Sequence, residues 1–298
     1  MIIITYRYLS VKESSTSFVT IPVVSSSENL TVTPIYYSDI NSLDRQQFQT
    51  TNTMNGKITA NIRPFYNRLF FKSLFGSETS ESTYYLYVPS FTNLPISLRI
   101  DDTSDNLNYL TMQYDECYVN SIDLSMTTNE FVKIDVDWIA YDYSSINSYS
   151  ISPPYSEIDE NPLPFYKVDI EMATGTSSLT DAYLKSASIN FTKSPTDEFL
   201  VNSIMPQERY NSGAFAISGS LEFNSTDYDK FAYQIESESM VDVEFKLILY
   251  DADDIKKIEI YFESINFIKT DRKTEKLNGT KSVSFIANPT NSYIKIYK

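Results

Sequence analysis

The sequence predicts a mainly β protein built from two tandem copies of a ββαβββ module, with one short helix per copy. A seven-residue pattern at 118–124 returns at 261–267: tyrosine, two variable residues, serine, isoleucine, Asp or Asn, and a large apolar residue. The same succession of strand-like and helix-like runs precedes each copy. The 24 tyrosines, 18 phenylalanines and 6 glycines among 298 residues also favour β-structure, because aromatic side chains suit pleated, half-buried surfaces.

The first module is predicted at residues 30–145, after an N-terminal arm at 1–29. Pro64 suits the first turn of a helix, and Gly76 ends the helical spacing of apolar residues. Apolar and polar residues alternate along the later strands, which is typical of a sheet that is covered on one face. The predicted strands lie, in order, at 30–36, 56–62, 96–100, 118–124 and 132–138.

A Ser- and Pro-rich linker is predicted at 146–164, and the second module at 165–298. After a lead strand at 165–172, this module repeats the order of the first. Asn224, Ser225 and Thr226 provide N-cap chemistry for its helix. Its remaining strands are predicted at 183–191, 213–221, 241–247, 261–267 and 283–287.

Two long polar segments, 41–55 and 192–212, occupy the same place in the two modules. Neither shows a helical or an alternating pattern, so both are predicted to be loops. Loops of this length in a compact domain are usually functional or disordered.

The residue types exclude the common catalytic and metal sites. The chain contains no histidine and a single cysteine, Cys117, which rules out Ser-His-Asp and Cys-His catalysis and structural zinc. Cys117 is expected in a strand as a small apolar residue. The cluster of Asp251, Asp253 and Asp254 fits either a calcium loop or a charged hairpin turn; it lacks the glycine and distal glutamate of an EF-hand. We predict no enzyme activity, no cofactor and no metal.

The net charge of −15 argues against tight nucleic-acid binding, which needs clustered Lys and Arg. An acidic wall would instead let DNA pass without adhering, although acidic charge also simply favours solubility. Tyr84, Tyr85 and Tyr87 fit either a binding surface or packing. The apolar runs are too short for a signal peptide or a membrane span, so no membrane contact is expected.

Several segments resemble the tail tube proteins of tailed phages and tailed archaeal viruses, in particular the type with two tube domains per chain. In the first module the resemblance rests on 55–64, on the helix ending at 74–76, and on 94–100 and 117–125 with 131–134. In the second it rests on Gly213 to Phe223 and the Asp-rich helix after it. The glycine that is usual before the cysteine is Glu116 here.

This resemblance implies that each domain is a β-sandwich or barrel flanked by one helix, and that neighbouring domains join edge to edge around a channel. Six domains close such a ring, so three chains per ring are favoured over six. Genomic DNA would pass transiently through the lumen. The other partners implied are the tape measure, baseplate and terminator proteins of a virion tail, made in the host cytoplasm. The long loops would contact the next ring through Asp44, Arg45, Gln46, Gln47, Pro195, Asp197, Glu198, Glu208 and Arg209.

Two alternatives stay open at this stage. The chain could be another virion part, either a baseplate protein that initiates the tube or a capsid decoration protein. The tyrosines also fit a carbohydrate-binding, adhesin-like β-sandwich.

Overall fold

The structure is a computed structural model that describes residues 6–13, 18–21, 24–38, 45–105, 108–146, 160–174, 179–193, 196–198, 208–210, 215–224, 242–268 and 280–298. These residues are mainly β, and the prediction of a mainly β fold is confirmed. The strand pairings are antiparallel, and 17 strands belong to one connected sheet.

The first half of the chain contributes nine strands. They are β1 (Tyr6–Glu13), β2 (Val19–Ile21), β3 (Ser25–Ser38), β4 (Arg45–Asn61), β5 (Thr79–Ser80), β6 (Tyr84–Tyr87), β7 (Ile96–Asp105), β8 (Asn108–Thr127) and β9 (Lys133–Ile146).

The second half opens with a 3-10 turn at Phe165–Lys167. Its strands are β10 (Val168–Thr174), β11 (Thr180–Asp181), β12 (Leu184–Thr192), β13 (Thr196–Glu198), β14 (Glu208–Tyr210), β15 (Ala216–Asn224), β16 (Val243–Tyr250), β17 (Lys256–Ile268), β18 (Thr280–Ala287) and β19 (Tyr293–Tyr297).

One helix, α1 (Pro64–Phe75), lies within the described residues and begins and ends where the sequence predicts. Gly76 ends it in the left-handed conformation, with φ 74°, which a residue without Cβ adopts at little cost. Its first turn is capped by a residue that is distant in the sequence: the Phe65 N–H donates to Glu160 Oε2 at 2.9 Å. Its fully buried side chains are Asn67, Phe70, Phe71, Ser73 and Leu74.

The two halves pair their strands in the same order. The first half follows β2–β1–β7–β8–β9–β4–β3. The second follows β11–β10–β16–β17–β18–β15–β12. The repeated sequence pattern lies on β8 and β17; β8 has a register shift against β9 between Val119 and Ser121, and β17 has one against β16 between Phe262 and Ile265. The correspondence favours a duplication, which stays a prediction.

The two halves also share one eight-stranded layer, here named the central sheet, with the order β17–β18–β15–β12–β8–β9–β4–β3. The halves meet where β12 pairs with β8. A single row of paired residues crosses the whole layer, and all of its members but the last are buried. The row runs through Ile265, Ala287, Ile217, Phe191, Ile122, Val136, Ile58 and Ser26.

The buried face of the central sheet belongs to one hydrophobic core that spans both halves. Helix α1 contacts β8 of the first half and β19 of the second. At its C-terminal end, Phe75 packs against Phe191 and Phe215, with ring centroids 5.5 and 4.9 Å apart. The halves are therefore packed together, yet β3 and β17 remain as the two borders of the central sheet.

The prediction of a loop at 41–55 is wrong for residues 45–55, which belong to β4. β4 pairs with β3 along 45–59 but with β9 only at 54–61, so its first part is a hairpin extension beyond the sheet. Such an extension has no sheet behind it to impose alternation of apolar residues. The predicted loop at 192–212 contains the two short strands β13 and β14, which pair with each other.

Other predicted segments have mixed outcomes. Residues 6–13 of the predicted N-terminal arm form β1, which pairs with β7 along its whole length. The end of the predicted linker is built into the first half, where the Leu163 N–H donates to Ile62 O at 3.1 Å and the Val132 N–H donates to Leu163 O at 2.9 Å. The predicted second helix, from 225 onwards, lies outside the described residues.

Candidate assembly surfaces

The pairing of residues 121–127 of β8 with 186–192 of β12 is here named the internal joint. At its centre, Asn190 Nδ2 donates a hydrogen bond to Asp123 Oδ1, and Thr192 Oγ1 donates to Asn190 Oδ1 at 2.8 Å. The Lys193 N–H continues the ladder to Asn120 O at 2.9 Å. The joint therefore combines a complete backbone ladder with side-chain contacts between the halves.

Lys193 fixes the end of the internal joint to α1. Its side chain is 2% exposed. Nζ donates to Thr92 O at 2.6 Å and to Leu74 O at 3.4 Å, and Leu74 lies in the last turn of α1, where carbonyl oxygens favour a cation. Burial lowers the pKa of this lysine from 10.5 to about 8.

The second face of the central sheet, here named the polar face, carries mostly short hydroxyl, amide and carboxylate side chains, together with Lys57, Lys133 and the exposed Ile268 and Ile286. Ser121 Oγ donates to Asp137 Oδ2 at 2.8 Å, and the Ser188 and Ser220 hydroxyls lie 2.8 Å apart across β12 and β15. The face includes Lys57, Thr59, Ser121, Asp123, Ser125, Asp135, Asp137, Ser186, Ser188, Asn190, Thr192, Ser218, Ser220, Glu222, Asn266, Ser282 and Ser284.

Carboxylates gather on the first-half part of the polar face. Asp123 and Asp135 are directly opposite on β8 and β9, and repulsion between their like charges makes this arrangement unfavourable. Lys57 Nζ lies 2.9 Å from Asp135 Oδ2, and Thr59 Oγ1 donates to Asp135 Oδ1 at 2.5 Å. The hydrogen bond to Asp135 raises the pKa of Lys57 despite its desolvation. Hydrogen-bond donors on Lys57, Thr59 and Asn190 thus hold the carboxylates of Asp123 and Asp135 close together.

The two borders of the central sheet differ: β17 is paired on both sides up to Ile265, and beyond it Asn266 Nδ2 lies 3.5 Å from Asp242 Oδ1 of the same chain. Among the described strands, β3 pairs only with β4. On β17, the pairing with β16 ends at Ile265, and residues 266–268 pair with β18 alone in the described part of the chain. Exposed strand edges are templates for pairing with another chain.

The residues predicted to contact the next ring fall on two hairpin extensions. Arg45, Gln46 and Gln47 lie at the start of β4, opposite residues 36–38 of β3. On β13 and β14, Asp197 is opposite Arg209, and Glu198 is opposite Glu208. Asp44 and Pro195 lie outside the described residues. Their role in contacts between rings stays a prediction.

A buried carboxylate stabilises β17 and its neighbour β19. Glu259, 5% exposed, accepts hydrogen bonds from Lys256, from Tyr293 Oη at 2.8 Å and from Lys295 Nζ at 3.2 Å. Burial alone would raise the pKa of Glu259, but these hydrogen bonds and the two lysine charges hold it at about 2. β19 in turn pairs with β6, which joins the two halves a second time.

The remaining residues that the sequence singled out have structural roles. Asp251 Oδ1 accepts hydrogen bonds from the N–H groups of Asp253 and Ile255, at 3.0 and 2.9 Å, so this carboxylate caps the hairpin turn. Cys117 is buried in β8, and Tyr87 is buried against Phe71 and Phe75. Within the part of the chain that the structure describes, no group of His, Cys, Asp or Glu is arranged to hold a metal ion.

Sequence reasoning did not identify Lys193 or Glu259, because isolated charged residues in alternating strands normally face water. The small polar residues at every second position of β12, from Ser186 to Thr192, were visible in the sequence. They indicate which face of β12 is polar, but not which strand lies beside β12.

A family comparison agrees with this architecture. The family model for phage tail tube proteins matches residues 19–288, which include the whole central sheet. No curated protein sequence matched the chain at a significant level. No helix among the described residues is long and apolar enough to cross a membrane. The chain therefore belongs to the phage tail tube protein family, whose members are structural virion components rather than enzymes.

Proposed function

We propose that this chain is a major tail tube protein whose copies form stacked rings around a channel through which DNA passes during genome delivery. The observation that carries the proposal is the central sheet, which is apolar on one face, polar on the other, and bordered by β3 and β17. A sheet of this kind can continue into the next copy without exposing its apolar face. Repetition around an axis then closes a cylinder.

The polar face is the wall of the channel in this proposal. Most of its side chains are short, and Asp123, Asp135, Asp137 and Glu222 give it carboxylates on β8, β9 and β15. Carboxylates repel phosphate groups, and serine hydroxyls hold no charge to attract them. DNA therefore slides along this wall without specific binding.

Three chains form each ring, because the corresponding pairing orders support two equivalent tube modules per chain. The hairpin extensions of β3–β4 and β13–β14 reach the adjacent ring and carry the stacking contacts. Head-to-tail stacking is heterologous and propagates into a filament. The tape measure, baseplate and terminator proteins meet this filament in the virion tail.

Negative-stain electron microscopy of the purified full-length chain tests the proposal. The expected result is long hollow filaments of uniform width, built from stacked rings, and symmetry analysis should find three chains per ring. Rings that never stack would favour a tube-initiating baseplate protein, and binding to capsids would favour a decoration protein. A monomer that binds glycans would refute the tube, and six chains per ring would refute the trimer.

A further inference from the structure

We propose that a cavity between the two halves of the chain is a binding site for a neutral saccharide. The apolar wall of the cavity packs against the C–H groups of a sugar ring, and its polar rim binds the hydroxyl groups. The site is separate from the polar face and from the hairpin extensions, so this inference does not rest on the proposed function.

The cavity lies where segments of both halves meet. The first half supplies the first turn of α1, strand β6 and residues 160–163, and the second half supplies the turn between β16 and β17 and the end of β19. The volume of the cavity is about 540 Å³. Sites for small ligands usually measure about 300–1,000 Å³, and a monosaccharide or a disaccharide fits within this range.

The wall of the cavity is apolar and held in place. It is formed by three aromatic and two aliphatic side chains, which are Phe65, Tyr85, Tyr297, Leu163 and Ile296. Cations fix the rings: the Arg68 guanidinium lies 4.5 Å from the ring centroid of Tyr85, and Lys256 Nζ lies 4.9 Å from that of Tyr297. The C–H face of a sugar ring is itself an apolar surface, so burying it against this preorganised wall is favourable.

The rim of the cavity carries both donors and acceptors of hydrogen bonds. Its members are Glu160, Asn161, Asp251, Asp253, Lys257 and Lys298. Asp251 is engaged in the hairpin turn and lies 3.6 Å from Lys257 Nζ, whereas Asp253 and Asn161 are exposed at the rim. A sugar hydroxyl both donates and accepts, so it can bind a carboxylate, an amide or an ammonium group of this rim.

The charges of the rim select a neutral ligand over an ion. Three carboxylates and two ammonium groups share the rim, so a ligand with either sign of charge meets like charges. Burial raises the pKa of Glu160, although two backbone N–H groups and nearby cations oppose this rise, and a second anion beside it is unfavourable. An uncharged ligand with many hydroxyl groups avoids both costs.

Saturation-transfer NMR on the full-length chain, at a protein concentration below that at which it assembles, tests the site. The probes are the methyl glycosides of glucose, galactose, mannose and N-acetylglucosamine. At least one should bind and show saturation at its ring C–H protons. Ala252→Trp, which fills the cavity from an exposed turn, should abolish the signal, and Asp253→Ala should weaken binding about 10-fold through the lost hydrogen bond. The matched control Glu130→Ala removes an exposed carboxylate outside the cavity and should leave binding unchanged.

Two results would overturn the saccharide site. One is the absence of a signal from all four glycosides with the native chain. The other is a signal that Ala252→Trp and Asp253→Ala leave at the native level while their thermal midpoints show that both variants are folded. Electron microscopy of the same chain at higher concentration reports tube formation separately, so failure of either proposal leaves the other standing.

Discussion

We expect the native protein to become more stable at alkaline pH, and replacement of Lys193 by methionine should remove this rise. Lys193 is 2% exposed, and its partners are the backbone oxygens of Thr92 and Leu74 rather than a carboxylate. An ammonium group without a counter-charge is costly to bury, and this cost lowers the pKa to about 8 from 10.5.

The sign of the effect follows from proton binding. Between pH 8 and 10.5 the unfolded chain holds a proton on this lysine that the folded chain has lost, so stability rises with pH across this window. From pH 7 to pH 9.5 the lysine contributes about 1–2 kcal/mol of this rise. Lys193→Met carries no proton at this position and should lack that contribution.

Urea unfolding followed by the fluorescence of Trp138, which is buried, measures the effect at a fixed low protein concentration. The measurements should stop at pH 9.5, because burial raises the pKa of Tyr261 and Tyr293 above 10 and ionisation of tyrosines in the unfolded chain then reverses the trend. Lys185→Met changes an exposed lysine on the same strand and should keep the native pH profile. Parallel profiles for the native protein and Lys193→Met would refute the reasoning.

Three further variants test other features. Gly76→Ala should lower the free energy of unfolding by about 2–3 kcal/mol, because the residue has φ 74° and a Cβ there would lie 1.6 Å from a backbone oxygen; an unchanged thermal midpoint would contradict this. Glu259→Gln should cost about 3 kcal/mol at neutral pH, since it leaves two lysines beside a neutral amide. The native protein should also lose more stability than this variant as the pH falls from 4.5 towards 2, because the folded pKa is about 2, and equal acid titrations would show that the carboxylate is not responsible. Ser125→Arg with Ser282→Arg adds positive charge to the polar face and should make tubes retain short DNA in a salt-dependent way, whereas Ser82→Arg, in an exposed loop, should have a smaller effect. DNA retention equal to that of the Ser82 variant would argue against a polar face that lines the channel.

The local elements were predictable because each has a signal in its own residues. Alternation identified β8 and β9, since one face of each packs into the core. Pro64 and Gly76 marked the ends of α1. The extension of β4 at 45–53 was missed because it pairs with β3 outside the layered sheet, where no buried face imposes alternation.

The contacts between the halves were not predictable from the sequence. The internal joint pairs strands that are about 65 residues apart, and alternation fixes which face is buried but not which strand lies alongside. β19 and its partner β6 are short and tyrosine-rich, so they gave no clear strand pattern. Lys193 reaches carbonyl oxygens from two other segments, and only the folded chain brings these together.

The internal joint has a consequence for how a tube can evolve and grow. In the proposed ring, the contact between the two modules of one chain is the internal joint, so it exists before any two molecules meet. A tethered contact forms at a high effective concentration, and fewer encounters then complete a ring. Contacts between chains involve other residues than the internal joint, so the two kinds of contact can change independently. In the proposed three-chain ring, contacts within chains alternate with contacts between chains, so the ring would present a three-fold pattern to the components at its ends.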